Sequence, residues 1–226
     1  MIAVAGGKGG SGKTTTTLGL ARALSRRGAR AVAADADWDL PNLARLASET
    51  ADGTAETGAR DRPTVVDAVL GGGSIPLDRR SPTVLAAPDD PDPVDPGPTF
   101  GSLGEAVPDD AAALLDCPAG ASPDAAAALR AADRSLLVTP LRRAALRDAA
   151  KTAAIARRLD CPPLGVVAVR ASSVPDPVAD LLGCPVVGRI PARAPAPLSD
   201  PAVRSAYDDL ARRLARGYGA GRWRIA

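Results

Sequence analysis

Two of the chain's three lysines stand in one glycine-rich stretch, "AGGKGGSGKTTTT", as Lys8 and Lys13, against 25 arginines in the 226 residues. Gly7 to Thr14 fits the pattern G-x-x-x-x-G-K-S/T and lies between an apolar run and a helix-length segment, the context that pattern requires. Each residue type has a chemical reason. Glycines let backbone N–H groups converge on phosphate oxygens, and the helix N-terminus adds a favourable dipole. Lys13 supplies a flexible point charge for the β- and γ-phosphates, and the Thr14 hydroxyl is small enough to ligate Mg²⁺. The generic pattern does not ask for Lys8.

Composition removes several chemistries. The chain has no histidine, which excludes imidazole general bases, Ser-His-Asp triads and His-ligated metals. Its three cysteines, Cys117, Cys161 and Cys184, form no CxxC pair and read as free thiols in a reducing cytoplasm. The net charge of +2 argues for no particular partner. No run approaches a membrane-spanning length without a charge. With 46% hydrophobic residues, mostly alanine and valine, the chain can build one sizeable core.

The elements that must position these residues alternate. Met1–Ala5, "RAVAAD", "TVLAAP", "AALLDCP", "RSLLVTP", "LGVVAVR" and "PVVGRIP" read as buried strands. Helices are expected over 12–27, 63–70, 122–132, 141–158, "VADLLG" and 201–216, the first stopped by Gly28. Strand–helix alternation implies βαβ crossovers and a mostly parallel, twisted sheet with helices on both faces. Asp89–Pro98 reads as a proline- and aspartate-rich loop, and mobility is expected there and over Ala51–Asp61. One domain over 1–216, followed by a short basic tail at 217–226, is the expected organisation.

The run Lys8-Gly9-Gly10-Ser11-Gly12-Lys13-Thr14-Thr15 resembles the P-loop of the deviant Walker A ATPases, the MinD and ParA family, and more the MinD side of it. The resemblance implies a three-layer P-loop NTPase fold, ATP and Mg²⁺ as ligands, and a nucleotide-sandwich homodimer in which Lys8 reaches the other subunit's phosphates. "DADWDLPNL" resembles the switch I segment: Asp37 would orient or activate the attacking water, and Asp35 would stand in the magnesium's outer shell. "LLDCPAG" resembles the Walker B and switch II segment, with Asp116 on a magnesium-bound water and Gly120 sensing the γ-phosphate. "ADRSLLVTP" and "VVGRIP" carry the likeness to the end of the chain. Three aspartates in order at the carboxyl ends of candidate strands make a joint signal that none makes alone.

One position departs from the family. Many relatives end the strand "GVVAVRA" with Asn-Arg, the asparagine reading adenine, whereas this chain has Val169 before Arg170. Either backbone near Pro191 holds the base instead, or base selectivity is relaxed; unless Pro191 supplies the readout, a modest preference for ATP over GTP is expected.

The resemblance implies a slow, partner-stimulated ATPase switch that places a cargo, such as a division site. A DNA-partitioning ATPase of the ParA type, a metal- or cofactor-insertion ATPase of the same fold, and a non-hydrolysing nucleotide-binding scaffold are the alternatives. The end of the chain, with Leu210, Leu214, Tyr218, Trp223 and Ile225 among arginines, fits weak association with the inner face of the membrane. Gly217, Gly219 and Gly221 interrupt a helix there, so a covering helix with a loose tail is the simpler reading. The arginine pairs at 142–143, 157–158 and 212–213 are interspersed with aspartates, which makes a DNA-binding face the weaker expectation.

Overall fold

The computed structural model describes residues 1–50, 62–70, 75, 77–91 and 94–218. Seven parallel strands form one sheet: β1 (Ile2–Ala5), β2 (Arg30–Asp35), β3 (Thr83–Leu85), β4 (Ala111–Asp116), β5 (Arg134–Pro140), β6 (Pro163–Val169) and β7 (Val186–Ile190). Their order, β3-β2-β4-β1-β5-β6-β7, places β1 between β4 and β5. The chain winds to one side of β1 first and to the other side later. That leaves a crevice at the carboxyl end of β1, where open α/β sheets place ligands.

Eight α-helices are described: α1 (Lys13–Arg26), α2 (Leu43–Glu49), α3 (Val65–Leu70), α4 (Pro96–Ala106), α5 (Pro123–Ala131), α6 (Arg143–Arg158), α7 (Pro177–Leu182) and α8 (Pro201–Tyr218). Strand alternation splits the core into layers. Ile2 and Val4 point to the face covered by α1 and α8, packing with Leu18, Leu20 and Tyr207. Ala3 and Ala5 point to the other face, with Phe100 and Leu103 of α4 and Ala128 and Leu129 of α5. On that face β1 presents only alanines, so less side-chain bulk separates it from α4 and α5. Tyr207 of α8 also reaches the Thr16 hydroxyl of α1 at 3.3 Å, tying the last helix to the first.

The structure corrects the element boundaries in three places. The segment read as loop through Pro98 gives way to α4 at Pro96, because Asp95 caps that helix, accepting from the Gly97 N–H at 3.0 Å. Prolines suit a first helical turn, whose N–H groups have no partner in the helix. α2 follows the "DADWDLPNL" segment, where no helix was expected. α8 continues through Gly217 to Tyr218, and the residues beyond it, Trp223 and Ile225 included, lie outside the described residues, as does Ala51–Asp61.

Candidate functional site

The loop from Gly6 to Gly12 joins β1 to α1 and wraps the crevice. Gly12 caps α1 in the left-handed region, φ 95°, where a side chain would be strained. Gly7 is needed for a different reason: a Cβ there would lie 2.2 Å from the Cβ of Asp148 on α6. Arg170, itself at φ 53°, donates from its guanidinium to the Gly10 carbonyl at 2.8 Å and holds the loop from the β6 side. Ser11 is buried, and its Oγ has no hydrogen-bond partner.

The two lysines take opposite stations. Lys13 is 7% exposed, and its charge acts on both Asp37 and Asp116. Lys8 points out of the loop with its side chain 77% exposed, and its Nζ stands 3.8 Å from Oδ2 of Asp148. Gly9 and Gly10 beside it are exposed as well, while Thr14 and Thr15 open the first turn of α1, half-buried.

Below the loop, Asp35 and Asp116 are register partners on adjacent strands, and both are buried. The Thr17 hydroxyl donates to the Asp116 carboxylate at 3.3 Å, and Thr14 also favours the charged form of that carboxylate. Asp35 spends its oxygens on the segment that follows it, accepting the N–H groups of Asp37 (3.1 Å), Asn42 (3.1 Å) and Leu43 (3.0 Å). Asp35 thereby folds the segment from Asp37 to Leu43 over the end of β2. Asp37 stands half-buried in that segment, its Oδ1 accepting the Leu40 N–H at 3.2 Å. Gly120, at φ 85°, brings the segment after β4 beside the Gly7 carbonyl.

Two buried carboxylates side by side are costly in the charged form. Burial, and then the Asp35 charge, push Asp116 up to about 7. Burial likewise pushes Asp35 to about 6 against the three N–H donors that favour its charge. Desolvation also raises Asp37, opposed by the Leu40 N–H and by Lys13. The site is thus short of positive charge at the point where the Thr14 hydroxyl meets the Asp116 carboxylate, and that donor set suits a small divalent cation.

A stability prediction follows from the direction of these shifts. A carboxyl raised on folding favours the folded state while it is protonated, so its contribution is full below the ordinary carboxylate range and disappears as pH rises through about 7 for Asp116. Urea unfolding of the nucleotide-free protein should show stability falling from pH 5 to pH 8, by on the order of 2–4 kcal/mol through this group. The Asp116→Asn variant should flatten that slope. An unchanged slope would show that Asp116 is not the titrating group.

Val169 does not stand open to a base. It is 5% exposed, and its methyls pack 3.6–3.7 Å from where a Gly12 Cβ would be, supporting the loop from below. Pro191 follows β7 at the same end of the sheet and lines a groove with Arg189 and Arg193. The structure also shows two loop neighbours whose roles the sequence did not reveal: Asp148 facing Lys8, and Arg170, retained from the family pattern, which clamps the loop.

Residues 2–199 match the CobQ/CobB/MinD/ParA nucleotide binding domain. The chain belongs to that family. A relative in it, the septum site-determining protein MinD of Synechocystis, is 32% identical over 167 residues, which are 71% of this chain and 60% of that protein. The chain spans about 60% of the length of the curated relatives it matches. Among solved structures, the cell division ATPase MinD of Pyrococcus furiosus is 25% identical and covers 95% of this chain and 98% of its own, with a TM-score of 0.75. The septum site-determining protein MinD of Pyrococcus horikoshii, complexed with Mg-ADP, matches with a TM-score of 0.76 over 94% of each chain at 23% identity, which speaks to the fold. Among the described residues, no helix is long and apolar enough to cross a membrane.

Proposed function

We propose that this chain is a Mg²⁺-dependent ATPase switch of the MinD type, which pairs with a second copy on binding ATP and so positions a cellular cargo. The carrying observation is the division of labour between the lysines: Lys13 is folded over the buried carboxylates, while Lys8 extends away from its own site. One lysine serves the phosphates held in the same chain. The other is free for the phosphates of a partner.

In this reading the N–H groups of Gly9 to Thr15 cradle the phosphates, with Lys13 neutralising charge that builds on the γ-phosphoryl oxygens. The Thr14 hydroxyl and Asp116 would hold Mg²⁺, with Asp35 and Asp37 supporting it from nearby, and the bound ion would supply stabilisation of the same charge. Asp37 holds the attacking water in line, and Gly120 reports the γ-phosphate to the segment after β4. Base contacts fall to backbone near Pro191, since Val169 is engaged with Gly12. Chemistry of this kind is positioning and electrostatics, which suits a slow turnover that a partner protein accelerates. Division-site placement is the cargo role that the MinD relatives support, at the cytoplasmic membrane face.

Phosphate release from Mg·ATP by the purified chain tests this reading, with nucleotide binding measured beside it. Lys13→Ala should weaken ATP binding by roughly 10- to 100-fold, the loss of charge-assisted hydrogen bonds. A parent that neither binds nor hydrolyses ATP would remove the proposal, and a Lys13→Ala variant binding like the parent would remove the role of Lys13.

A further inference from the structure

Asp37 lies in an exposed stretch of chain. Asp39, Leu40 and Pro41, which follow it, are exposed, Leu40 to 72%. A water-orienting carboxylate on a loose loop would place its oxygens poorly, and misplacement of that kind is costly in rate. One side chain in this stretch is anchored in the core. Trp38, the next residue, is 7% exposed and packs among the buried residues of the α4 face. Its indole N–H donates to the Asp35 carbonyl at 3.0 Å, and its ring meets Phe100 of α4 edge-on, with centroids 5.2 Å apart and planes at 67°. Phe100 itself is fully buried. The seat is therefore rigid on both sides: the end of β2 below, and a helix wedged between sheet and solvent beside it.

We infer that Trp38 is a positioning residue for ATP hydrolysis: seated against Phe100 and bonded to the Asp35 carbonyl, it fixes the Asp37 backbone and thereby the water that Asp37 orients. The inference rests on the proposed role of Asp37. Trp38 touches neither the P-loop lysines nor Thr14 in this account, so nucleotide binding should be indifferent to it. Asp35 supplies the remaining restraint, because its carboxylate bonds the N–H groups of Asp37, Asn42 and Leu43. The tryptophan adds what those bonds cannot: a wide, stiff anchor one residue from the catalytic carboxylate. Aromatic edge-to-face pairs hold a defined geometry better than aliphatic contacts do.

Basal turnover of Mg·ATP by the full chain tests this in Trp38→Leu, Trp38→Phe and Phe100→Leu, with KM and equilibrium nucleotide affinity measured for each. Trp38→Leu should lower kcat about tenfold or more while KM and nucleotide affinity stay within about twofold. Trp38→Phe keeps a ring against Phe100 but loses the N–H, so it should recover much of that loss. Phe100→Leu removes the edge contact without touching the segment, and should lower kcat about two- to fivefold at constant KM. Should Trp38→Leu fail to fold, the other two variants carry the decision by the same split. Unchanged kcat across the folded variants would overturn the inference, as would kcat and nucleotide affinity falling together. Asp37→Ala run in parallel separates the two claims. An active Asp37→Ala removes the role of Asp37 itself, whereas an inactive Asp37→Ala beside a fully active Trp38→Leu removes only the anchor.

Discussion

Replacing Asp37 with alanine is expected to lower ATP turnover about 100-fold or more while leaving ATP binding near the parent's. The argument is geometric. In the proposed reading the phosphates are held by the loop after β1 and the base by backbone near Pro191, neither of which Asp37 is placed to support. Its carboxylate, half-buried beside Lys13, accepts only the Leu40 N–H within its own segment, so oxygen lone pairs remain for a water. An interaction made with the attacking water counts mainly in the transition state, and its loss therefore appears in kcat. ATP-bound protein should accumulate in this variant. Phosphate release measured together with nucleotide affinity checks it, and parental turnover in Asp37→Ala would sink the assignment.

The nucleotide loop was legible in the sequence because its information is local. Gly7 to Thr14 is one continuous turn, and the elements flanking it announce themselves by apolar runs that short parallel strands require. Asp35 and Asp116 were legible, with Asp37, for a related reason: Asp35 and Asp116 each end a buried strand, and strands of a parallel sheet end together. The structure then makes them register partners.

What the sequence concealed depends on contacts between distant segments. Asp148 faces Lys8 only because α6 crosses beside the loop, and nothing around residue 148 marks it as different from other helix carboxylates. Trp38 reads as an ordinary aromatic until α4 brings Phe100 to it, and α4 was itself missed. Its first turn is rich in proline, a composition shared by loops and helix starts, and only the Asp95 cap distinguishes them. Asp35 illustrates a third kind of hidden role. Its position suggested a metal shell, yet its oxygens also organise the backbone of the whole segment through Leu43. Val169 shows the converse, since a departure from the family's asparagine acquires a physical reason once the valine is seen packed against Gly12.

In the proposed reading, ATP joins two copies of this chain through Lys8. The geometry makes the lysine available: a pair at 3.8 Å with a side chain 77% exposed on the lysine side is worth well under about 1 kcal/mol in water. In the proposed reading a partner's triphosphate displaces Asp148 from Lys8, and Lys8 is not needed to bind nucleotide within its own chain, where Lys13 faces the site. Lys8→Ala should thus retain ATP and lose self-association, the second large effect the account expects. The direct measurement is light scattering of the Asp37→Ala protein, in which hydrolysis is blocked, with and without Mg·ATP. The expected result is a monomer of 22.8 kDa without nucleotide, twice that mass with ATP, and a monomer in both conditions once Lys8→Ala is added. A Lys8→Ala protein that dimerises on ATP as fully as its parent would contradict it.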